Sequence, residues 1–296
     1  MTFDPQLILI YCGPIFLVCI VAELFYLRRH AHLPDSAQYT ANDTFSNIGL
    51  ALMHEGSELV AALVVISIYY WVFDFRLLNI PTTWWSIILL FFLQDFLYYW
   101  FHRASHRIRW MWASHVVHHS SEKMNFSTAF RQSLTYPISG MWVFWIPLMA
   151  LGFEPMTVVG MVLFNLAYQF FIHTQVVGKL GFLEKFMSTP SHHRVHHARN
   201  NDYIDKNYAG TLIIWDKMFG TFVEENDNNP CEYGITRQIH SHNPVILSFH
   251  EWVDMLKDAM TTNKSLWQRG KHLWGPPEWQ PSQEPANNLE QPAVPT

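Results

Sequence analysis

Long apolar runs divide the chain into segments that predict membrane helices. Residues 7–27 form the first run, which has about the 20 residues that a helix needs to cross a bilayer. Further runs cover residues 51–73 and 83–101. Residues 133–153 and 155–173 are joined by a very short connection and predict a helical hairpin, which either spans the bilayer or only enters it. The pattern predicts an all-α integral membrane bundle with about four or five membrane helices.

The rest of the pattern predicts one catalytic domain and a tail. Residues 1–262 hold the apolar segments and a mixed region, and we expect them to form a single membrane-embedded domain with its chemistry within residues 95–225. Residues 263–296 are rich in Pro, Gln and Asn, which predicts a flexible cytoplasmic tail. The first run has no basic start and ends in Arg28 and Arg29, so we expect a permanent helix rather than a cleaved signal peptide.

Composition supports a membrane protein and argues against several other classes. Charged residues make up 15% of the chain, whereas an average soluble domain has about 25%. The net charge of −5 and the lack of a long basic stretch predict no nucleic-acid partner. The three cysteines, Cys12, Cys19 and Cys231, have no CxxC spacing and predict neither a disulfide framework nor a zinc clip.

The distribution of basic residues predicts the orientation in the membrane. Basic residues follow the first, third and fifth apolar segments: Arg28, Arg29, Arg103, Arg107, Arg109, Lys179, Lys185, Arg194 and Arg199. The loop between the second and third segments has only Arg76. Because cytoplasmic loops are enriched in Lys and Arg, we expect the chain to start outside and the histidine clusters to face the cytoplasm. The protein would then be multi-pass, in the inner membrane of a bacterium or the endoplasmic reticulum of a eukaryote.

Three histidine clusters carry the candidate chemistry. They read HxxxH, HxxHH and HxxHH and comprise His102, His106, His115, His118, His119, His193, His196 and His197. On a helix, positions i, i+3 and i+4 share one face, so each cluster presents two or three imidazoles to one point. Together the clusters offer enough nitrogens for two metal ions. Solvated or buried structural histidines are the alternative, but eight such side chains would repel one another when charged and would be costly to bury uncharged and unpaired.

The ligand type narrows the choice of metal. All-nitrogen ligation suits zinc, iron, copper or nickel. A structural zinc site needs only four ligands and usually includes cysteine. The hydrolytic motif HExxH is missing, and ExxH pairs do not frame the clusters. A histidine-rich di-iron centre remains, with a membrane metal transporter as a distant alternative, since transporters usually place their ligands at the bilayer midplane.

The clusters resemble those of the fatty acid hydroxylase and sterol desaturase superfamily. The stretches "YYWFHRASH", "WASHVVHHSSEKMNFSTAFRQS" and "STPSHHRVHHARNNDYIDKNYAGTLIIWDKMFGTF" are most similar to alkylglycerol monooxygenase-like members, including bacterial ones. The resemblance covers roughly residues 40–280. It implies a membrane oxygenase that uses O2 and two iron ions to hydroxylate a long-chain lipid, which could be a fatty acyl, ether-lipid or sterol-like substrate. A lipid or sterol desaturase of the same superfamily is the alternative.

The resemblance also implies the ligands and their surroundings. The eight clustered histidines would be catalytic iron ligands, and His173 matches a ninth. Ligating imidazoles usually donate their other N–H to a carboxylate or carbonyl, and Asp95, His192 and Asp216 are candidates for this outer layer. Arg131 is a candidate contact for a lipid head group or an anchor at the membrane interface.

One position departs from the family pattern. Alkylglycerol monooxygenases have an acidic residue, associated with their pterin, directly after the second histidine of the first cluster, and Arg107 stands there in this chain. Tetrahydrobiopterin is therefore a doubtful reductant. With no electron-transfer domain recognisable in the sequence, we expect a separate electron-transfer protein as the donor.

Overall fold

Three long apolar helices form the frame of the molecule. The computed structural model describes residues 6–30, 32–261 and 265–281. Helices α1 (Gln6–Arg29), α2 (Ala41–Asp74) and α3 (Trp84–Arg107) are long and apolar enough, by length and composition, to cross a membrane.

The other helices are shorter and complete the fold. They are α4 (Arg109–His119), α5 (Tyr136–Ser139), α6 (Ile146–Leu151), α7 (Pro155–Phe170), α8 (Pro190–His197), α9 (Ile214–Phe219), α10 (Pro244–Met260) and α11 (Leu266–Trp274). Extended segments pair only at isolated bridges within the described residues. The predicted all-α class is therefore correct for this part of the chain.

Contacts between helix ends show which ends lie together. Near the end of α1, Glu23 accepts a hydrogen bond from the backbone N–H of Phe126, at 2.8 Å. Near the start of α2, Asn47 donates to the hydroxyl of Ser127, at 3.2 Å. The two helices therefore run in opposite directions from one shared end. We call this the site end, because the histidine clusters also lie there.

The apolar hairpin reaches the opposite end of the bundle. The backbone N–H of Leu77 donates to the carbonyl of Ala150 at 2.8 Å, and Tyr70 donates to the Glu154 carboxylate at 3.0 Å. A Cβ at Gly152 would lie 2.2 Å from the carbonyl oxygen of Leu78, so only glycine allows this close approach. The hairpin tip is thus packed against the loop between α2 and α3.

The first arm of the hairpin is not one helix, as its apolar run could suggest. It is divided into α5, a 3-10 turn at Met141–Trp145 and α6. Gly140 has φ = +83°, which ends α5, and Pro137 and Pro147 each begin a new helical segment. The second arm, α7, has 16 residues and a rise of about 24 Å, less than the roughly 30 Å hydrocarbon thickness of a bilayer.

The main apolar core lies between these helices. Leu90 and Phe101 of α3 pack with Leu148 and Met149 of α6 and with Val158 of α7. Two smaller apolar clusters join α4 to α10. The core therefore holds the end of α3 and α4 firmly, and these two helices carry five of the eight clustered histidines.

Part of the predicted tail is structured. Helix α11 packs against α4 and α10, and the carbonyl of Gly275 accepts a hydrogen bond from the N–H of Arg109, at 3.0 Å. Trp274 stacks on Trp110. These aromatic contacts are the physical reason that residues 265–281 fold onto the domain despite their polar composition. Residues 263–264 and 282–296 of the predicted tail lie outside the described residues.

Candidate metal centre

Nine buried histidines form two groups at the site end. Within each group the ligating nitrogens all lie within 4.8 Å of one another. The first group is His102, His106, His115, His119 and His196, and the second is His118, His173, His193 and His197. The structure thus brings together all eight histidines of the three clusters and adds His173.

The two HxxHH clusters each contribute to both groups, in opposite senses. The second cluster supplies its i and i+4 residues, His115 and His119, to the first group and His118 to the second. The third cluster supplies His193 and His197 to the second group and only His196 to the first. Around a helix, i and i+4 differ by about 40°, whereas i+3 lies about 60° to the other side of i. This geometry lets one helix face two adjacent centres.

Distances between imidazole nitrogens match those of ligands around one metal ion. Nε2 of His115 lies 2.9 Å from Nε2 of His102 and 3.1 Å from Nε2 of His119. In the second group, Nε2 of His193 lies 2.8 Å from Nε2 of His173 and 3.1 Å from Nε2 of His197. With metal–nitrogen bonds of about 2.1 Å, two ligands at a right angle stand about 3.0 Å apart.

Backbone carbonyls orient several of these imidazoles. Nδ1 of His102 donates to the carbonyl of Tyr208 at 2.8 Å, and Nδ1 of His173 donates to the carbonyl of Gln169 at 2.7 Å. His196 donates in the same way to Lys206, at 3.0 Å. A proton on Nδ1 leaves the lone pair on Nε2, so these rings present an acceptor nitrogen to the interior of each group.

Burial disfavours the charged form of most of these imidazoles. It lowers the pKa of His115, His119 and His197 well below 6.5, because desolvation penalises the charged ring and the neighbouring imidazoles oppose a further charge. Burial also lowers the pKa of His173 to about 4. Neutral imidazole is the form that ligates metals, so the groups are ready for metal binding at neutral pH.

Two inward nitrogens have no hydrogen-bond partner among the described residues. They are Nε2 of His106 and Nε2 of His196, both in the first group and both buried. A buried polar atom without a partner is costly, and a metal ion would satisfy both atoms. The donor set therefore fits a metal.

The two groups are in direct contact. The ring of His119, in the first group, stacks on the ring of His197, in the second, with 4.4 Å between their centroids. The rings of His193 and His196 are 5.4 Å apart. The arrangement can therefore hold two metal ions side by side.

Among the expected outer residues, Asp95 has a different role. Its carboxylate accepts hydrogen bonds from the N–H groups of Thr211 and Leu212, from the indole of Trp215 and from the amide of Asn165, all between 2.9 and 3.0 Å. These four donors occupy the carboxylate, and it makes no hydrogen bond to a histidine. Asp95 instead fixes the segment before α9 against α3.

Asp216 acts on the histidines only through the backbone, and His192 lies outside both groups. The Asp216 carboxylate accepts from the N–H groups of Tyr208 and Ala209, both at 2.8 Å, and so fixes the carbonyl that orients His102. His192 belongs to neither group, and its ring packs on Phe222.

Arg131 is not available to a lipid. It is 2% exposed and donates to Asn47 of α2 at 2.9 Å and to the carbonyl of Val117 in α4 at 3.0 Å. Its carbonyl accepts from Nδ1 of His118, at 3.2 Å. Arg131 thus connects α2 to the second cluster from inside the protein, and the predicted head-group or interface contact is wrong.

Two residues outside the predicted ligand and outer-layer sets contact the first group. Tyr136 places its hydroxyl 2.7 Å from Nδ1 of His115, and nothing in the sequence links it to that cluster. Asp205 lies 3.5 Å from Nδ1 of His106 and accepts from Arg107 at 2.6 Å. Although burial opposes its charge, the neighbouring His106 and Arg107 lower the pKa of Asp205 to about 2. Arg107 is therefore paired with a carboxylate that reaches the first group.

The chain is similar in sequence to a known family and to several known proteins. Residues 87–221 match a family model described as fatty acid hydroxylase. The chain is 45% identical to an alkylglycerol monooxygenase of Homo sapiens over 214 residues, which are 71% of this chain and 46% of that protein. It is 38% identical to the alkylglycerol monooxygenase of Caenorhabditis elegans over 245 residues, 81% of this chain and 47% of that protein.

A bacterial protein is also similar. The chain is 26% identical to an ornithine lipid hydroxylase of Rhizobium tropici over 233 residues, 74% of this chain and 69% of that protein. The chain spans about half the length of the alkylglycerol monooxygenases that it matches. No solved structure matches it significantly.

Proposed function

We propose that the chain, whose residues 87–221 match the fatty acid hydroxylase family model, is a membrane di-iron enzyme that hydroxylates a long-chain lipid with O2. The observation that carries the proposal is the pair of adjacent groups of buried, neutral imidazoles. A single hydrolytic or structural metal needs three or four protein ligands, whereas nine converge here.

The proposed ligand sets follow the two groups. One iron would be held by His102, His106, His115, His119 and His196, and the other by His118, His173, His193 and His197. Two bound irons would supply the redox chemistry for O2 activation, with electrons drawn from an external donor. No cysteine belongs to either described group, and the nine ligands exceed the four of a structural zinc site, so the donor set argues against structural zinc.

The chain's own residues would position and protect this centre. The carbonyls of Tyr208, Gln169 and Lys206 hold three imidazoles in one tautomer and orientation. Every imidazole of the two groups is buried, which excludes bulk water from the reaction. The site lies at one end of three apolar helices, so a lipid can reach it from the bilayer by its acyl or alkyl chain.

The substrate class is also a proposal. The relatives are an alkylglycerol monooxygenase and an ornithine lipid hydroxylase by name, and both names describe oxygen insertion into a lipid. We propose a membrane lipid with a long alkyl or acyl chain, with an ether lipid as a specific case. A desaturase acting on a sterol or an acyl chain remains the second candidate. The family that the chain resembles implies either hydroxylation or desaturation, and the histidine groups do not distinguish the two reactions.

The test uses isotopic oxygen and a matched pair of variants. Cells that carry the intact chain, His196→Ala or His242→Ala receive labelled O2, and their lipids are compared by mass spectrometry. His196 has an inward nitrogen without a partner, whereas His242 is exposed and outside both groups. A labelled oxygen atom in a lipid or a released aldehyde, present with the intact chain and His242→Ala and absent with His196→Ala, is the expected result. A lipid that gains only a double bond would establish the desaturase instead.

Localisation and electron supply complete the proposal. We propose a multi-pass membrane protein with the metal centre on the cytoplasmic side and a separate electron-transfer protein as the reductant. The basic residues that follow the first and third apolar segments support this orientation. Arg107 forms an ion pair with Asp205, so the position that the sequence resemblance would make acidic carries a positive charge here.

A further inference from the structure

Helix α10 carries an apolar face that no other described residue covers. Six of its side chains are between 40% and 74% exposed: Val245, Ile246, Phe249, Val253, Leu256 and Met260. At 100° per residue these positions fall within an arc of about 100° around the helix axis. A continuous exposed apolar surface of this size marks a contact with protein, ligand or membrane.

The other two sides of α10 are accounted for. One side is buried against α4, where Trp252 and Met255 pack on Ala113. On this side Glu251 also accepts from Arg109, at 2.7 Å. Between the buried side and the apolar face runs a polar strip, where the side chains of Asp254 and Lys257 are 43% and 72% exposed. The helix therefore presents one side to protein, one to water and one to an apolar medium.

The apolar face continues the surface of a spanning helix. Pro244, the first residue of α10, lies against Gly49 of α2, where an added Cβ would stand 2.9 Å from the proline ring. Phe45 and Leu52, one turn to either side of Gly49, are 72% and 71% exposed. The outward apolar surface of α2 therefore passes directly into that of α10.

The length of α2 places this junction at the membrane surface. From Gly49 to Asp74, at the far end, α2 rises about 38 Å. The hydrocarbon core of a bilayer is about 30 Å thick, and about 40–45 Å with the head groups. With Asp74 at one surface, Gly49 and the start of α10 fall at the head-group level of the other.

We propose that α10 lies in the bilayer interface on the site side, with its apolar face inserted between lipid head groups and acyl chains. An amphipathic helix with a polar strip on one side and bulky apolar side chains on the other is built for this position. Because α10 packs on α4, which carries His115, His118 and His119, this contact fixes the depth of the histidine groups just beyond the acyl region.

Nitroxide accessibility in the full chain tests the proposal. Cys12, Cys19 and Cys231 are replaced by serine, and single spin labels are placed at residues 253 and 256 on the apolar face and, as controls, at residues 254 and 257 on the polar strip. Each protein is reconstituted as one copy in a phospholipid nanodisc. Collision rates with O2, which concentrates in lipid, and with a water-soluble nickel chelate are then measured, and the helical circular dichroism of each variant serves as the check on folding.

The two reagents separate the possible occupants of the face. Collisions with O2 several-fold higher, and with the nickel chelate several-fold lower, at residues 253 and 256 than at 254 and 257 are the expected result. Nickel collisions equal at all four positions would place the face in water and overturn the proposal. Low collisions with both reagents at 253 and 256 would mean that protein covers the face, whether residues of this chain beyond 281 or another polypeptide, and would overturn it too. The measurement requires no enzymatic activity, so it stands or falls separately from the proposed function.

Discussion

At the level of single residues, the histidines are held by contacts that leave their inner nitrogens free. Main-chain carbonyls receive Nδ1–H of His102, His173 and His196, and the Tyr136 hydroxyl meets Nδ1 of His115. A carbonyl cannot donate a proton, so it fixes the tautomer as well as the angle of the ring. Backbone geometry therefore sets much of the orientation of these ligands.

The unequal size of the two groups leads to a prediction about metal content. The intact protein should hold about two irons per chain, one for each group. His193→Ala leaves three imidazoles in the group of four, whereas His106→Ala leaves four in the group of five. We expect His193→Ala to fall to about one iron per chain and His106→Ala to retain more, because four nitrogen ligands still complete a common coordination shell.

Elemental analysis of protein purified without chelators measures this difference. His242→Ala is the control, because His242 is exposed and belongs to neither group, and it should retain the iron of the intact chain. Equal iron in all three variants would show that the groups are not the metal sites.

A buried carboxylate in α1 leads to a second prediction. Glu23 is 4% exposed and accepts hydrogen bonds from Tyr39, Thr174 and the N–H of Phe126. Glu23→Ala leaves these donors without an acceptor, so we expect a loss of about 1–3 kcal/mol in the free energy of unfolding. Because Thr174 follows His173 directly, iron content should fall as well.

Thermal unfolding in detergent and iron analysis of the same samples give the two measurements. The matched control is Glu55→Ala, which removes an exposed glutamate from α2 and should leave both quantities close to those of the intact chain. A Glu23→Ala protein that unfolds like the control would contradict a structural role for these three hydrogen bonds.

At the scale of helices, α4 is fixed mainly by α10. Val116 and Val117 of α4 pack with Leu247 of α10, and Arg109, at the first turn of α4, binds Glu251 at 2.7 Å and Asp258 at 2.8 Å. The Arg109 side chain is only 2% exposed, which makes this a largely buried ion network. The position of the second histidine cluster therefore depends on residues more than 130 positions away in sequence.

Breaking this network gives a third prediction. Arg109→Met removes the cation that binds both Glu251 and Asp258 of α10, and removing one partner of a buried ion pair costs about 3–5 kcal/mol. Asp258 is one-third exposed, so we expect the lower end, about 3 kcal/mol. Lys257→Met, which removes an exposed charge from the same helix, should change stability by less than about 0.5 kcal/mol. Chemical unfolding monitored by tryptophan fluorescence compares the two, and equal stability would mean that apolar packing alone fixes α10.

The histidine spacing was a good guide to the metal-binding residues, whereas the hydropathy pattern was a poorer guide to the fold. Spacing is local: i, i+3 and i+4 share a helix face whatever surrounds them, so the convergence of the clusters could be expected. The crossed division of each HxxHH cluster between two groups depends on how α4 and α8 face each other, which spacing does not encode. Asp95 lies two helical turns before His102 on α3, but its carboxylate binds the N–H groups of Thr211 and Leu212, a tertiary contact that helix spacing does not encode.

Hydropathy alone misjudged two segments for a related reason. The apolar run at residues 133–153 is broken by Gly140 and by two prolines, whose effect on the backbone outweighs the apolar composition. Residues 265–281 are polar on average, but Trp274 packs on Trp110 and brings the segment onto the domain. In both cases a few residues decide the structure against the average of their window.

At the scale of the whole molecule, the helix directions constrain the topology more tightly than the helix count does. The site end collects the end of α1, the start of α2 and the end of α3, so these helices alternate in direction. The α6–α7 hairpin starts and finishes at the site end, since Tyr136 and His173 both contact the histidine groups. Its depth in the bilayer therefore does not change the side on which later residues lie.

The helix directions predict on which side of the membrane two loop positions lie, and this can be tested in whole cells. We expect the chain between residues 79 and 228 to cross the membrane once along α3 and to return from the hairpin to the side it left, so the two positions should lie on opposite sides. Basic residues favour the site end as cytoplasmic, which places Asn79 outside and Asn228 inside. Both residues are exposed.

In a background without native cysteines, Asn79→Cys should react with a membrane-impermeant maleimide in intact cells, and Asn228→Cys should react only after permeabilisation. Both variants should label fully in permeabilised cells, which controls for access. Labelling of both in intact cells would show that α3 does not cross, and labelling of Asn228→Cys alone would show that the site end faces outward.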